Sequence, residues 1–509
     1  MSLFQRSINS VSWNAGTSVA RVIILFGRSV LLSRWLPKSA FGVYATATAV
    51  VAITAIFAGF GMGSAFLHRS QETEDEQAAA SIHFTLKLIF TALWALLLLL
   101  GAYFFTSGPT RLALMVLTLT TTGIELAQTP KLILTRRVVH RRLALLNTAN
   151  ALLTTAVAIP MAWLVGGGGE EQAALLFPFL DPNWEELGLW TLLATDIVTL
   201  SLTLFFLYVW RPVWRPRLAW SRQAVRYYLG FGARDVWNGF LLRALDEVDD
   251  LWTRVYLGTI ALADYSRAYT FATYPRRVLA APINQVAGGT YAELKGDRLR
   301  LSRAFFRTNS FLIRSAFFVG GLLALTAPEL ILILLTEKWI TMVNTFRLML
   351  VFTLLDPIRL TVAHLFVAVG RPEEIGRARL LQLAVLVGGL FLLGPRLGIE
   401  GVALAADLML VVGMAVLLHR AKQYVDFSWW RLFAAPALAL GISLGLTAFV
   451  TLLPSFPESD WLSVAIKFAL FSLIFGLILG GLEYKQFVEH LWKPILSKPL
   501  RRVRRRLPF

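Results

Sequence analysis

One long apolar segment of this 509-residue chain carries six charges in close succession. Between Tyr227 and Arg254, in a stretch that reads as a membrane-crossing helix, stand Arg243, Asp246, Glu247, Asp249, Asp250 and Arg254. At about 100° per residue, Arg243, Glu247, Asp250 and Arg254 share one helix face, with Asp246 at its edge. Such a face is costly in hydrocarbon. It must look into a bundle or a watery cavity, where it could gate a path or carry an ion. The same residues could also neutralise one another one turn apart, Arg243 with Glu247 and Asp250 with Arg254. The two readings are compatible.

A second polar face lies on the first apolar segment. Ser10, Asn14, Thr17, Arg21 and Arg28 follow one another at helical spacing and fall on one side. An arginine near a helix end can snorkel to the interface, but Arg21 sits near mid-span, too deep for that to be easy. Arg21 and Arg28 are therefore expected either to line a cavity or to partner an acid on another helix.

These faces must be positioned by a membrane scaffold. The chain is 56% hydrophobic, with a mean hydropathy of +0.63, and its long apolar runs exclude an ordinary soluble domain. At about 20 apolar residues per span, about 14 spans fit. They lie near 10–34, 41–67, 82–104, 112–134, 143–165, 187–209, 227–256, 259–290, 305–326, 346–369, 378–395, 399–418, 432–453 and 462–482. The spans across 227–290 are the least apolar. The chain has no cysteine, which excludes disulfides and thiolate metal sites, and its six histidines show no metal-ligand spacing. The net charge of +18 reports loop orientation in such a protein rather than nucleic-acid binding. No cleavable signal peptide is expected, because the first apolar run is long and contains Arg21 and Arg28.

With both termini inside, the inner segments hold Arg136, Arg137, Arg141, Arg142, Arg211, Arg215, Arg217, Arg222, Arg226, Arg298, Arg300, Arg303 and Arg371. The outer ones hold Glu170, Glu171, Asp181, Glu185 and Glu186. That alternation is what the positive-inside rule requires. Gly59 and Gly63 give a small-xxx-small spacing that reads as helix packing. Lys87, Glu125, Lys131, Asp196, Arg314, Asp356, Arg359, His364, Asp407 and Lys467 are further ionisable residues in the spans. They are expected to be paired or near an interface, and the sequence assigns none of them a role.

The pattern restarts after the sixth span. Ser33-Arg34-Trp35-Leu36 with Phe41-Gly42-Val43-Tyr44 returns about 220 residues later as Thr253-Arg254-Val255-Tyr256-Leu257 with Ala263-Asp264-Tyr265, which suggests a parallel repeat. The expected fold is an all-α polytopic membrane protein of two six-helix lobes in pseudo-twofold parallel repeat, 1–215 and 216–425. Two additional transmembrane helices follow at 426–485, and 486–509 is a basic cytoplasmic tail. The tail reads as a topogenic signal or as a contact for anionic lipid headgroups.

Leu32-Ser33-Arg34-Trp35-Leu36-Pro37 running into Phe41-Gly42-Val43-Tyr44 resembles the first-loop signature of bacterial polysaccharide flippases of the polysaccharide transport family. This family belongs to the multidrug/oligosaccharidyl-lipid/polysaccharide exporter superfamily. The run Leu245 to Asp250, then Asp264-Tyr265-Ser266-Arg267-Ala268-Tyr269, Tyr274-Pro275, Ala368-Val369-Gly370-Arg371 and Gly398-Ile399-Glu400-Gly401 also fit it. Two departures stand out. Thr336-Glu337-Lys338-Trp339 lacks the usual Gly before Lys-Trp, and Asp264 replaces the usual Gly before Tyr. The resemblance implies a transporter rather than an enzyme, moving polyprenyl-diphosphate-linked oligosaccharide to the outer leaflet of the bacterial inner membrane. In that frame Asn14, Arg21, Arg28 and Arg243 are the candidate contacts for diphosphate and sugar, since Arg grips phosphate through a planar fork. Asp246, Glu247, Asp250 and Arg254 are the candidates for gating or ion coupling, with Arg28 and Asp250 expected at similar depth and paired when the outer side is closed.

No ATP-binding loop is present, and no cofactor or metal is expected beyond H+ or Na+ as a coupling ion. The implied partners are the lipid-linked glycan, membrane lipids, and a polysaccharide polymerase and glycosyltransferases, with no nucleic acid. A flippase for the peptidoglycan precursor is the nearest alternative. A membrane polymerase or ligase of lipid-linked sugars is the alternative of another class, and a multidrug antiporter fits less well because two Arg on the first helix would repel cations.

Overall fold

The computed structural model describes residues 20–68, 75–137, 139–166, 184–453, 456–457 and 459–484. Asn14, with Ser10 and Thr17, lies outside the described residues, as does the basic tail. The described residues are all-α, with no strand among them. We label the helices in chain order: α1 (20–35), α2 (Lys38–Gly59), α3 (Met62–His68), α4 (Glu76–Phe105), α5 (Gly108–Leu126), α6 (Gln128–Arg136), α7 (His140–Gly166) and α8 (Trp184–Leu204). Then come α9 (Arg222–Tyr256), α10 (Thr259–Leu294), α11 (Arg298–Leu335), α12 (Val343–Ala368), α13 (Glu373–Leu397), α14 (Ile399–Ala421), α15 (Trp429–Thr451) and α16 (Asp460–Leu482).

Among the described residues, 11 helical stretches are long and apolar enough to cross a membrane. The charged helices α9 and α10 are not among them, although they run for 35 and 36 residues, long enough to span at 1.5 Å per residue. Their charges, not their length, keep them off the apolar set. Start signals are local. The Ser221 hydroxyl accepts from the Ala224 N–H at the head of α9, and Asp75 accepts from Gln77 N–H at the head of α4. Between α9 and α10 the chain turns at Gly258, whose φ of 94° suits only a residue without Cβ. Its N–H and that of Leu257 both return to the Thr253 carbonyl, closing the end of α9.

Two of the expected spans are interrupted. The second stops at Gly59, where Phe60 (φ 40°) and Gly61 (φ 61°) enter the left-handed region before α3 begins. The fourth breaks at Ala127, between α5 and α6. The chain forms two compact units. One comprises Met1–Tyr274, Leu334–Met349 and Glu373–Gly413, and the other Pro275–Ile333, Leu350–Pro372 and Met414–Phe509. In the first unit α2 packs among α4, α5, α8 and α9, while α13 lies along α9. Met62, Phe66, Ile82, Leu86, Trp214 and Tyr228 form a buried cluster within it.

Candidate functional site

Arg28 projects from α1 into the first unit. Its Nη1 donates to the Thr154 hydroxyl of α7 at 2.7 Å, and that hydroxyl itself donates a hydrogen bond to the Asn150 carbonyl. The acid nearest in charge is Asp196, on α8, which accepts the Tyr44 hydroxyl of α2 at 2.8 Å. Arg28 is thus held by a neutral hydroxyl, with a carboxylate close by but engaged elsewhere. Aromatic rings fix α1 against α10. Phe26 meets Phe271 and Tyr274 edge-on at 5.9 and 5.0 Å, and the Tyr274 hydroxyl donates to the Leu25 carbonyl at 3.2 Å.

A second cation, Arg267 of α10, shares this neighbourhood. Its guanidinium lies 4.6 Å from the Phe41 ring centroid, a cation–π geometry. Its Nε is buried and meets no hydrogen-bond partner. Its charge interacts with Asp250, with Arg28 and with Tyr44 and Tyr274. Arg267 is thus close enough to feel both the acid Asp250 and the second cation Arg28. Beside Asp250, Asp249 is buried and accepts the Tyr265 hydroxyl at 2.5 Å.

The predicted residues divide accordingly. Arg21 and Arg28 are both half-buried on α1, seven residues apart, or roughly 10 Å along the axis. Arg243 and Asp246 are exposed, while Glu247, Asp250 and Arg254 are half-buried. Arg243 and Glu247 feel one another's charge, and the Arg254 Nε is buried without a hydrogen-bond partner. The buried acid of the run is Asp249, which the helical stripe left out. Sequence reasoning gave Arg267 no role, although it stands one turn after Asp264 in the family-like motif. Asp196 is among the span residues to which the sequence assigns no role.

The helix ends around residues 33–38 are sealed within the same unit. Lys38, heading α2, meets Asp264 of α10 at 2.6 Å and donates to the Thr341 hydroxyl at 2.9 Å. Thr341 donates to Asp264 at 2.8 Å, closing a triangle. Lys338 donates to the carbonyls of Arg34 and Leu36 at 2.8 and 2.9 Å. Fully buried Trp339 donates to the Ser33 carbonyl at 2.8 Å and sets its ring against Phe41. The segment that brings these groups in starts at Thr336, with φ 87° and ψ 166°. That region is nearly glycine-only and costs a branched residue about 1–3 kcal/mol. Both departures from the family pattern, at Asp264 and at 336–339, thus meet in one contact. Gly42 lets α2 touch the start of α10, since a Cβ there would overlap the Thr259 carbonyl.

The second unit holds its own charges in pairs. Buried Asp356 of α12 is gripped by Arg276 of α10 and by Arg359, whose Nε lies 2.6 Å from it. Lys467 of α16 pairs with Glu329 of α11. Arg314 of α11 donates to Glu483, just past α16, with its Nε at 2.7 Å. At the base of α11, Arg298 meets Asp426 at 2.7 Å. Among the described residues no cluster of three His, Cys, Asp or Glu could hold a metal.

The described residues thus form a bundle of apolar helices in which half-buried arginines lie near acids and hydroxyls, and the relatives of the chain are transporters. The comparisons with known proteins agree. The family described as polysaccharide biosynthesis protein matches residues 31–169 and 184–344, and the chain belongs to that family. The lipopolysaccharide biosynthesis protein WzxC of Escherichia coli (strain K12) is 19% identical over 460 residues, covering 88% of this chain and 89% of that one. The succinoglycan biosynthesis transport protein ExoT of Rhizobium meliloti (strain 1021) is 26% identical over 342 residues, 65% of this chain and 63% of that one. In fold the chain is similar to lipid II flippase MurJ in an inward closed conformation, with a TM-score of 0.68 at 15% identity, covering 93% and 99% of the two chains. It is also similar to the inward-facing conformation of a multidrug resistance MATE family transporter of the MOP superfamily, with a TM-score of 0.59 at 16% identity over 81% and 98%. This is the family to which the sequence motifs point.

Proposed function

We propose that this protein is a flippase that carries a polyprenyl-diphosphate-linked oligosaccharide from the cytoplasmic to the outer leaflet of the bacterial inner membrane, by alternating access. It would span the membrane 14 times with both termini inside, as two six-helix lobes and two added helices. The reading is carried by Arg28 and Arg267. They converge from α1 and α10 with donor groups in hand, one tied to a hydroxyl and the other with a buried Nε unpaired. A diphosphate supplies the acceptors such guanidinium groups lack, and charge-assisted bonds to it are about twice as strong as neutral ones. The headgroup cannot cross hydrocarbon unaided, and a cationic cavity offsets its desolvation. The lipid tail stays in the bilayer. The sealed end at Lys38, Asp264 and Thr341 is then the outer closure, and the acids of α9 respond when substrate takes over an arginine. The coupling ion is H+ or Na+, and the glycan is passed to polymerase and glycosyltransferase partners.

The test is reconstitution in vesicles with a fluorescent lipid-linked repeat unit, measuring headgroup appearance in the opposite leaflet. Arg28→Ala and Arg267→Ala should each abolish most transport at normal protein levels. Lysine at 267 should rescue poorly, because it cannot keep the planar face on Phe41. Wild-type rates in both alanine variants refute the reading. Running lipid II beside the repeat unit separates a polysaccharide flippase from one for the peptidoglycan precursor.

A further inference from the structure

Helix α11, in the second unit, carries six charged residues: Arg298, Arg300, Arg303, Arg307, Arg314 and Glu329. Four of them are paired, Arg298 with Asp426, Arg300 with Asp297, Arg314 with Glu483 and Glu329 with Lys467. Arg303 and Arg307 are exposed and meet no hydrogen-bond or ion-pair partner among the described residues. Both stand on the face that α16 covers further along. At about 100° per residue, positions 303, 307, 311, 314, 318, 321 and 329 fall within roughly 80° of one another. α16 runs antiparallel along that face. Lys467 meets Glu329, Phe471 and Phe475 meet Phe318 at 5.9 and 5.5 Å, and Glu483 meets Arg314 through a 2.7 Å bond from Nε. α16 ends at Leu482. The face continues past it with Phe311, 58% exposed, and then the two arginines.

Nearby contacts fix the depth of this bare stretch. Ser302 Oγ accepts the Asp426 N–H at 2.8 Å. Arg298 donates to the Gln423 and Lys422 carbonyls at 3.0 and 3.2 Å, and Phe305 meets Phe427 at 5.4 Å. The start of α11 is therefore level with the loop that leads into Trp429 and Trp430 at the head of α15. Trp430 is 76% exposed, and Tyr484, just past Glu483, is 68% exposed. Such aromatic residues gather where membrane meets water. Arg307 and Arg303 lie roughly 10 and 16 Å along the axis from Arg314, beyond the hydrocarbon edge and within side-chain reach of the headgroups. In the orientation proposed above, this is the inner leaflet.

Like charges one helical turn apart repel, and an anion between them removes that cost. Guanidinium forks match phosphate oxygens, while exposed Phe311 offers apolar contact on the bilayer side. We propose that Arg303, Arg307 and Phe311 bind one anionic phospholipid of the inner leaflet, its phosphate between the two arginines and its acyl chains over Phe311 beside the end of α16. The lipid neutralises the two charges on α11 that the described residues leave unpaired, and it continues the interface that α16 begins. Binding to the folded chain stabilises it by mass action, so the second unit is held more firmly in an anionic bilayer than in a neutral one.

The test titrates the purified full chain in detergent micelles with phosphatidylglycerol or phosphatidylcholine. Native mass spectrometry reads the affinity of the tightest lipid site, and thermal unfolding reads stability. Wild type should bind phosphatidylglycerol in preference to phosphatidylcholine and unfold at a higher temperature as it is added. Arg303→Gln with Arg307→Gln should weaken phosphatidylglycerol binding by roughly 30-fold, the usual value of two basic residues at an anionic surface. Both side chains are exposed, so this variant should unfold in phosphatidylcholine as wild type does. Phe311→Ala should weaken phosphatidylglycerol binding with no change in charge. Arg215→Gln with Arg217→Gln removes the same charge from exposed positions in the first unit and should leave the affinity close to wild type. Equal affinity in wild type and in the 303/307 variant overturns the proposal, and is the result expected if a protein segment rather than a lipid covers this face. An equal loss in the 215/217 variant also overturns it, since attraction to the surface at large would then suffice. Neither readout involves transport or orientation, so the result stands apart from the flippase reading.

Discussion

Replacing Asp264 with Asn should unseal the helix ends that Lys38, Thr341 and Lys338 close. The side chains of Lys38 and Asp264 are only 15% and 7% exposed and lie 2.6 Å apart, so the small value of an exposed pair, about 0–1 kcal/mol, does not apply. Lys38 and Thr341 use different carboxylate oxygens, so Asn keeps an acceptor for one of them and loses the other along with the charge. A hydrogen bond to a charged group contributes about 1.5–3 kcal/mol. At about 1.4 kcal/mol per tenfold, the sealed state should lose a factor of roughly 10 to 150 in population. The chain has no cysteine, so a single probe can be placed inside the seal. Ser33 is buried and its hydroxyl has no hydrogen-bond partner, which makes Ser33→Cys a mild change. In whole cells an impermeant thiol reagent should label Ser33→Cys slowly, and at least about tenfold faster when Asp264→Asn is added. Exchanging the charges, Lys38→Asp with Asp264→Lys, should restore part of the protection. Equal labelling rates with and without Asp264→Asn, at equal protein levels, would refute the argument.

Three other outcomes are expected. Gly42→Ala should force α2 away from the Thr259 carbonyl and cost about 1–3 kcal/mol of stability, the usual range for overpacking, measured by thermal unfolding in detergent. Asp426, in the loop after α14, has its pKa lowered, chiefly by the hydrogen bond from Arg298 and also by that group's charge. A lowered folded-state value means that its contribution is present above the ordinary carboxylate pKa of about 3.9 and is lost as pH falls through the lowered value. Asp426→Asn should therefore lower the unfolding temperature at neutral pH and have no effect in strong acid. Finally, a cysteine at position 171 should react with an impermeant reagent from outside, and one at position 215 only after permeabilisation. The reverse pattern would overturn the proposed orientation.

Much of the scaffold could be read from the chain. Apolar runs and their basic flanks announce the helices, and even α9, too charged for a simple apolarity measure, was legible as a long helix with a polar face. Periodicity says which residues share a face, but not which neighbour that face meets. The stripe from Arg243 to Arg254 therefore missed Asp249, whose burial is decided by Tyr265 on the next helix. Arg267 carried no periodic signal. It became visible only when α10 laid it over Phe41. The break at Phe60 is partly announced by the glycines around it, yet the residue in the left-handed conformation is a phenylalanine, which no propensity would select. The departures at Asp264 and Thr336 marked the sealed end as unusual. That Asp264 meets Lys38 joins residues far apart in the chain, and only tertiary packing creates that contact.

The ion pairs that fasten α11 to the far end of the chain bear on how the protein is made. Glu329 is neutralised by a lysine 138 residues later, and Arg314 by a glutamate 169 residues later. At a synthesis rate of about 5–20 residues per second, α11 leaves the ribosome roughly 7–28 seconds before Lys467 exists. During that interval a carboxylate and a guanidinium have no native partner, and an ionised group in hydrocarbon is expensive. α11 must wait at the interface or in the shelter of the insertion machinery until α16 emerges. On this argument the C-terminus times the insertion of α11, and a chain cut after residue 425 should leave Glu329 and Arg314 without the partners they meet in the complete chain.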